Sequence, residues 1–197
     1  MGDILSDKSL DTVFRSARSY NDWQKRQVSD VLLQAVYDLA KYGATSANCS
    51  PARFVFVRSQ PMKDKLISCV GEGNDAKIAS APVTVLIGSD EKFYEKLDQL
   101  FPHNLDARTW FEGKPDVIAE TAFRNSTLQG AYLMLAARSL GLDCGPMSGF
   151  DKDKLNNLFF PEENINVNFI CSLGFGDEAS VFPRSPRLNF AEACAII

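Results

Sequence analysis

One stretch constrains this chain more than any other. From about Asp116 to Leu140, apolar residues such as Ile118, Ala122, Leu128, Tyr132, Leu135 and Ala136 recur at helical spacing, and Gly141 stops the run. Between Leu128 and Ala137 the pattern is apolar on more than one side, and Gly130 with Ala131 permits close backbone approach. A helix of that kind belongs at the centre of a fold or at a subunit interface.

The remaining segments arrange themselves around it. Leu10, Val13, Phe14 and Ala17 predict a short amphipathic helix over residues 9–18, with Arg15 and Arg18 on one flank. Ser29 caps a second helix that runs to Gly43. Residues 53–57, 83–87 and 167–173 have strand composition, and 83–87 is apolar enough to be buried on both faces. Helices are expected at 62–70, 75–80 and 151–159, a helical region with a loop at 90–112, and a tight loop at 144–150. No linker or repeat divides the sequence, so a single domain spanning 1–197 is expected, α+β or α/β, with helices covering a small sheet.

Composition removes several classes of function. No run approaches eighteen apolar residues, so no membrane span is expected, and Met1 to Leu10 lacks an apolar signal core. The 21 basic and 25 acidic residues give a net charge of −4, which disfavours a nucleic-acid binder. Five cysteines are irregularly spaced with no Cys-x-x-Cys pair, which predicts free thiols in a reducing cytoplasm and no metal site. The single histidine, His103, leaves little room for triad or metal chemistry; a Cys49–His103 thiol enzyme is the one dyad the composition allows.

Four constellations remain. Arg15 and Arg18 near one end of the chain, and Arg184 and Arg187 in a proline-restrained tail, form a phosphate clamp if the fold unites them. Residues 44–51 are small or turn-forming and carry Ser46 and Asn48. Asn74 and Lys77 stand three apart on one helix face. Gly145 and Gly149 bound a segment, Pro146-Met147-Ser148, whose backbone N–H groups are open to a planar ligand. Phosphate clamp, small pocket floor, amide with ammonium, and backbone edge together match what a flavin mononucleotide requires.

In this order the motifs resemble the flavin-dependent nitroreductase superfamily, from about Leu10 onward. Arg15-Ser16-Ala-Arg18-Ser-Tyr20 is similar to the family's N-terminal phosphate motif, and Gly-Ala-Thr-Ser46-Ala-Asn48-Cys-Ser-Pro51 to its small-residue loop. Longer runs, Ser46 to Arg53, Glu120 to Ser126, Gly145 to Asp151 and Phe101-Pro-His103, resemble the malonic semialdehyde reductase branch. Ser50 and Ala52 depart from the glutamine and tryptophan common in the wider family.

The resemblance implies an α+β nitroreductase-like fold, a small, mainly antiparallel sheet covered by helices, in an intertwined homodimer. It implies FMN bound by Arg15, Ser16, Arg18, Ser46, Asn48, Asn74, Lys77, Pro146, Met147, Ser148, Gly149, Arg184 and Arg187, with Asn48 contributed by the neighbouring subunit. NADH or NADPH would be co-substrate in ping-pong reduction of a small acceptor, malonic semialdehyde foremost, with Arg53 or His103 orienting its carboxylate. A broad nitroaromatic or quinone reductase and a non-catalytic FMN carrier are the alternatives.

Overall fold

The computed structural model describes residues 2–162 and 164–197; Met1, the first residue of the expected domain, lies outside them. At its centre is a four-stranded antiparallel sheet in the order β1-β2-β4-β3, built from β1 (Ala52–Val57), β2 (Val83–Asp90), β3 (Asp143–Met147) and β4 (Ile165–Gly174). Every residue of β2 is buried, as its apolar run predicts. Alternation along β2 explains why: Val83, Val85 and Ile87 face one core, and Leu86 faces another.

On the first face pack α2 (Asp30–Ala40) and α6 (Pro115–Ser139). On the second lie α3 (Gln60–Ile67), α4 (Asp75–Ser80) and α7 (Lys152–Phe159). A smaller cluster of Phe93, Leu97, Ala107 and Phe111 gathers the 3-10 turns and α5 (Leu97–Leu100) between residues 93 and 111 against Cys49 and Ala122.

Helix α6 presses directly on the sheet. A Cβ at Gly130 would overlap the Phe169 ring of β4 and stand 3.7 Å from Ile87. The close approach that glycine permits is therefore made within the chain. Its buried face also carries three polar residues, Asn125, Ser126 and Gln129. Asn125 Oδ1 accepts from the Ser46 N–H at 2.8 Å, and Gln129 Oε1 accepts from the Ala52 N–H at 2.8 Å. Outside that face Phe123, Leu128 and Tyr132 are exposed.

Two expectations are corrected. The helix expected over 9–18 is α-helical only over α1 (Asp7–Leu10) and continues as a π-helical stretch, Asp11–Arg15, so Arg18 lies beyond its end. The two arginines do not share a helix flank. The tight loop expected at 144–150 begins as the edge strand β3; Gly145 and Pro146 disguise it, because an edge position tolerates proline's missing N–H.

Substituting Gly130→Ala is expected to lower stability by about 1–3 kcal/mol through overpacking against Phe169. Urea denaturation checks this, and adding Phe169→Leu should recover most of the loss.

Candidate functional site

The two ends of the chain meet. Ser19 forms a parallel bridge with Cys144 at the start of β3, and the Tyr20 N–H donates to the Cys144 carbonyl at 3.0 Å. Across this junction the Arg18 guanidinium donates to the Phe182 carbonyl, and Arg184 Nη2 donates to the Ala17 carbonyl at 3.0 Å. Each terminal segment thus supplies a cation that fastens the other.

The result is a cleft of about 540 Å³ whose lining includes Arg15, Arg18, Arg184 and Arg187. Among the described residues no carboxylate lines it, although the chain as a whole is acidic. Arg15 is the most neutralised of the four, paired with Asp7 at 2.7 Å and Asp11 at 3.1 Å, both in water where such pairs contribute little. Arg187 donates to the carbonyls of Ser185 and Pro186. A fifth arginine, Arg138 from the last turn of α6, also lines the cleft. Sequence reasoning missed it because a cation in the last turn of an apolar helix reads as an ordinary terminal charge. Ser16 is exposed and caps the π-helical stretch, its N–H donating to the Asp11 carbonyl at 2.8 Å.

From this cleft β3 runs to the second group. A strand advances about 3.3 Å per residue, so β3 spans roughly 13 Å from Asp143 to Met147, just before Ser148 and Gly149. Met147 turns its side chain into the core, whereas Pro146, Ser148 and Gly149 are exposed. Gly145 serves the chain rather than a ligand: its space is taken by the Tyr20 carbonyl and the Trp23 ring. Asn74 Nδ2 donates to the Gly149 carbonyl at 3.1 Å, and Val70 bridges Phe150, which joins the start of α4 to the end of the edge strand. The N–H groups of Ser148 and Gly149 have no partner among the described residues. Lys77 stands half-buried on α4, one turn from Asn74.

The third group lies elsewhere. Residues 46–50 precede β1, whose first residue pairs with Ser89 at the far end of β2, while β3 begins opposite Gly174 at the other end of β4. Ser46 and Asn48 therefore occupy the corner of the sheet diagonally opposite the arginine cleft. Their loop is strained: Ala47, Asn48 and Ser50 have φ of 48°, 50° and 40°. Left-handed residues of this kind cost about 1–3 kcal/mol each and persist where surrounding contacts fix them. Here those contacts are the Asn125 and Gln129 amides, the Thr45 hydroxyl accepting from the Ser50 N–H at 3.2 Å, and Asn48 Nδ2 donating to the Leu100 carbonyl at 2.8 Å.

Arg53 is committed to this scaffold. Its Nη2 pairs with the buried Asp90 carboxylate at 2.5 Å, and its Nη1 donates to the carbonyls of Ser50 and Ala52. Those bonds speak against its orienting a substrate carboxylate. His103 is exposed with its ring centroid 4.0 Å from that of Phe101. The thiol dyad loses its nucleophile, since burial pushes the Cys49 thiol up to about 11. Among the described residues no group of histidine, cysteine and carboxylate side chains could hold a metal ion, and no helix is long and apolar enough to cross a membrane.

The profile of the Nitroreductase family matches residues 15–175. The chain belongs to the nitroreductase family. A relative from Polynucleobacter asymbioticus, provisionally named NADH dehydrogenase/NAD(P)H nitroreductase, is 55% identical over 197 residues, covering 100% of both chains. Among solved nitroreductase structures, ydfN of Bacillus subtilis superposes with a TM-score of 0.89 at 19% identity, covering 98% of this chain and 100% of its own. An Exiguobacterium sibiricum nitroreductase, crystallised in complex with FMN, has a TM-score of 0.85 at 19% identity, covering 100% of both chains. The nitroreductase fold is α+β, with its antiparallel sheet between helical layers, as the sequence motifs implied.

Replacing Arg53 by alanine leaves the Asp90 carboxylate buried with only amide donors. A loss of about 2–3 kcal/mol in urea denaturation is expected. Cys49 should resist iodoacetamide at neutral pH in native protein while the exposed Cys194 is labelled; peptide mapping distinguishes them.

Proposed function

We propose that this nitroreductase is an FMN-dependent NAD(P)H oxidoreductase acting as a homodimer. The observation that carries the reading is the convergence of arginines from both chain ends on one cleft at the head of edge strand β3. A phosphate monoester suits that cleft, because guanidinium groups offer paired N–H donors and keep their charge. At the far end of the strand, the open N–H groups of Ser148 and Gly149 and the Asn74–Gly149 clasp suit the edge of a flat heterocycle. Edge strand β3, roughly 13 Å from end to end, links the two groups. Met147 contributes through its main chain, and Pro146 through its exposed ring.

The chemistry such a group supplies is two-electron hydride transfer from a reduced nicotinamide to an acceptor. Around it the protein's work is electrostatic. Lys77 and the Ser148–Gly149 backbone stabilise negative charge at the ring end, and the arginines neutralise the phosphate. No side-chain nucleophile is needed, which agrees with the inert Cys49.

Dimerisation follows from what the chain leaves uncovered. Phe123, Leu128 and Tyr132 on α6, Val31 and Tyr37 on α2, and Phe182, Leu188 and Phe190 in the tail are exposed apolar side chains beyond what single scattered residues explain. The diagonal separation of Ser46 and Asn48 from the arginine cleft supports their serving the flavin of a neighbouring subunit.

For the acceptor we infer malonic semialdehyde, reduced to 3-hydroxypropionate; the motif runs at Ser46–Arg53, Glu120–Ser126 and Gly145–Asp151 support this choice. His103, exposed beside the 46–50 loop through the Asn48–Leu100 bond, is the remaining candidate to meet its carboxylate. The name of the 55% identical relative favours a nitroaromatic acceptor as the second reading.

Purified protein should be yellow and bleach anaerobically with NADH or NADPH; colour without bleaching would indicate a carrier. In a steady-state panel of malonic semialdehyde, a quinone and a nitroaromatic, the semialdehyde should have the highest kcat/KM, and a lead for the nitro compound would transfer the assignment. Arg184→Gln should weaken FMN binding about tenfold or more through loss of a charge-assisted contact, read by quenching of flavin fluorescence.

A further inference from the structure

We propose that Arg138 is the preorganised member of the arginine cleft, a positioning residue that selects the phosphorylated flavin over its unphosphorylated counterpart. The inference rests on the reading of the cleft as a phosphate site and adds a residue that its sequence motifs do not contain. Arg15, Arg18, Arg184 and Arg187 all stand on segments outside the sheet and its covering helices, and their guanidinium groups are occupied with carboxylates or backbone carbonyls. Arg138 differs in where it stands and in being held by only one long bond. It grows from the last turn of α6, next to the buried Ala136 and Ala137, so its backbone is set by the core. Its Nη1 makes one long bond, 3.4 Å, to the Val13 carbonyl, which ties it to the helix end that carries Arg15.

Its Nε is buried and has no hydrogen-bond partner among the described residues. A buried unsatisfied donor on a cation is costly, of the order of 1–3 kcal/mol, and such groups occur where an anion or water completes them. Where Arg138 lines the cleft, the terminal Nη1/Nη2 fork of its guanidinium suits two oxygens of a phosphate, the bidentate geometry peculiar to arginine, while the buried Nε lies behind it. Burial raises the pKa of Asp143, the half-buried carboxylate at the start of β3, and the Gly176 N–H at 2.9 Å and the Arg138 charge oppose that rise. The guanidinium therefore already balances one fixed negative charge near the cleft.

The test measures binding of FMN and of riboflavin to flavin-free protein by fluorescence quenching, with no turnover needed. Arg138→Gln is expected to weaken FMN about tenfold to a hundredfold while riboflavin affinity stays unchanged. Arg138→Lys keeps a charge beside Asp143 and so guards against misfolding, with thermal melting as the control. It should still lose about tenfold for FMN, because an ammonium cannot replace the bidentate fork. Equal losses for FMN and riboflavin, or full recovery of FMN affinity by Arg138→Lys, would overturn the proposal. If wild-type protein itself prefers neither ligand, the phosphate reading of the cleft fails instead.

Discussion

Everything else in this molecule depends on how closely α6 lies on the sheet. Gly130 has no side chain because the Phe169 ring fills that space, and this contact sets the height of a 25-residue helix above β2 and β4. Once that height is set, the Asn125 and Gln129 amides reach backbone N–H groups at Ser46 and Ala52. Those bonds hold a loop that contains three left-handed non-glycine residues. The last turn of the same helix delivers Arg138 to the cleft at the other end. A single packing contact thus serves two distant polar sites.

Much of this was legible in the sequence, and particular residues show why. The α6 pattern was visible because apolar positions repeat at helical spacing over many turns, and β2 because residues 83–87 form a near-continuous apolar run. The arginine pairs were recognisable as a clamp in waiting, but nothing local to them says that Ala17 and Phe182 carbonyls will bind each other's arginines. That is a long-range fact, 164 residues apart along the chain. Edge strand β3 was hidden because its glycine and proline are turn residues by composition, and only pairing with β4 makes it a strand.

Arg138 was hidden for a different reason. Local patterning assigns it to the end of an apolar helix, and its significance lies in a neighbourhood assembled from residues 14–19 and 181–187. The π-helical turn at Asp11–Arg15 was equally unreadable, since one extra residue in a turn leaves the spacing of Leu10, Val13 and Phe14 nearly intact. Gly145 was misread because a glycine that admits the chain's own Tyr20 carbonyl has the same sequence signature as one that admits a ligand.

The crossed bonds between Arg18 and the Phe182 carbonyl, and between Arg184 and the Ala17 carbonyl, bear on how the cleft closes. The segment bearing Arg18 is seated on Cys144 through Ser19 and Tyr20, but its guanidinium gains its carbonyl partner only when the segment around Phe182 docks beside it. Closure of the cleft is therefore tied to the docking of two segments far apart in sequence, and a fragment lacking either one would leave it open.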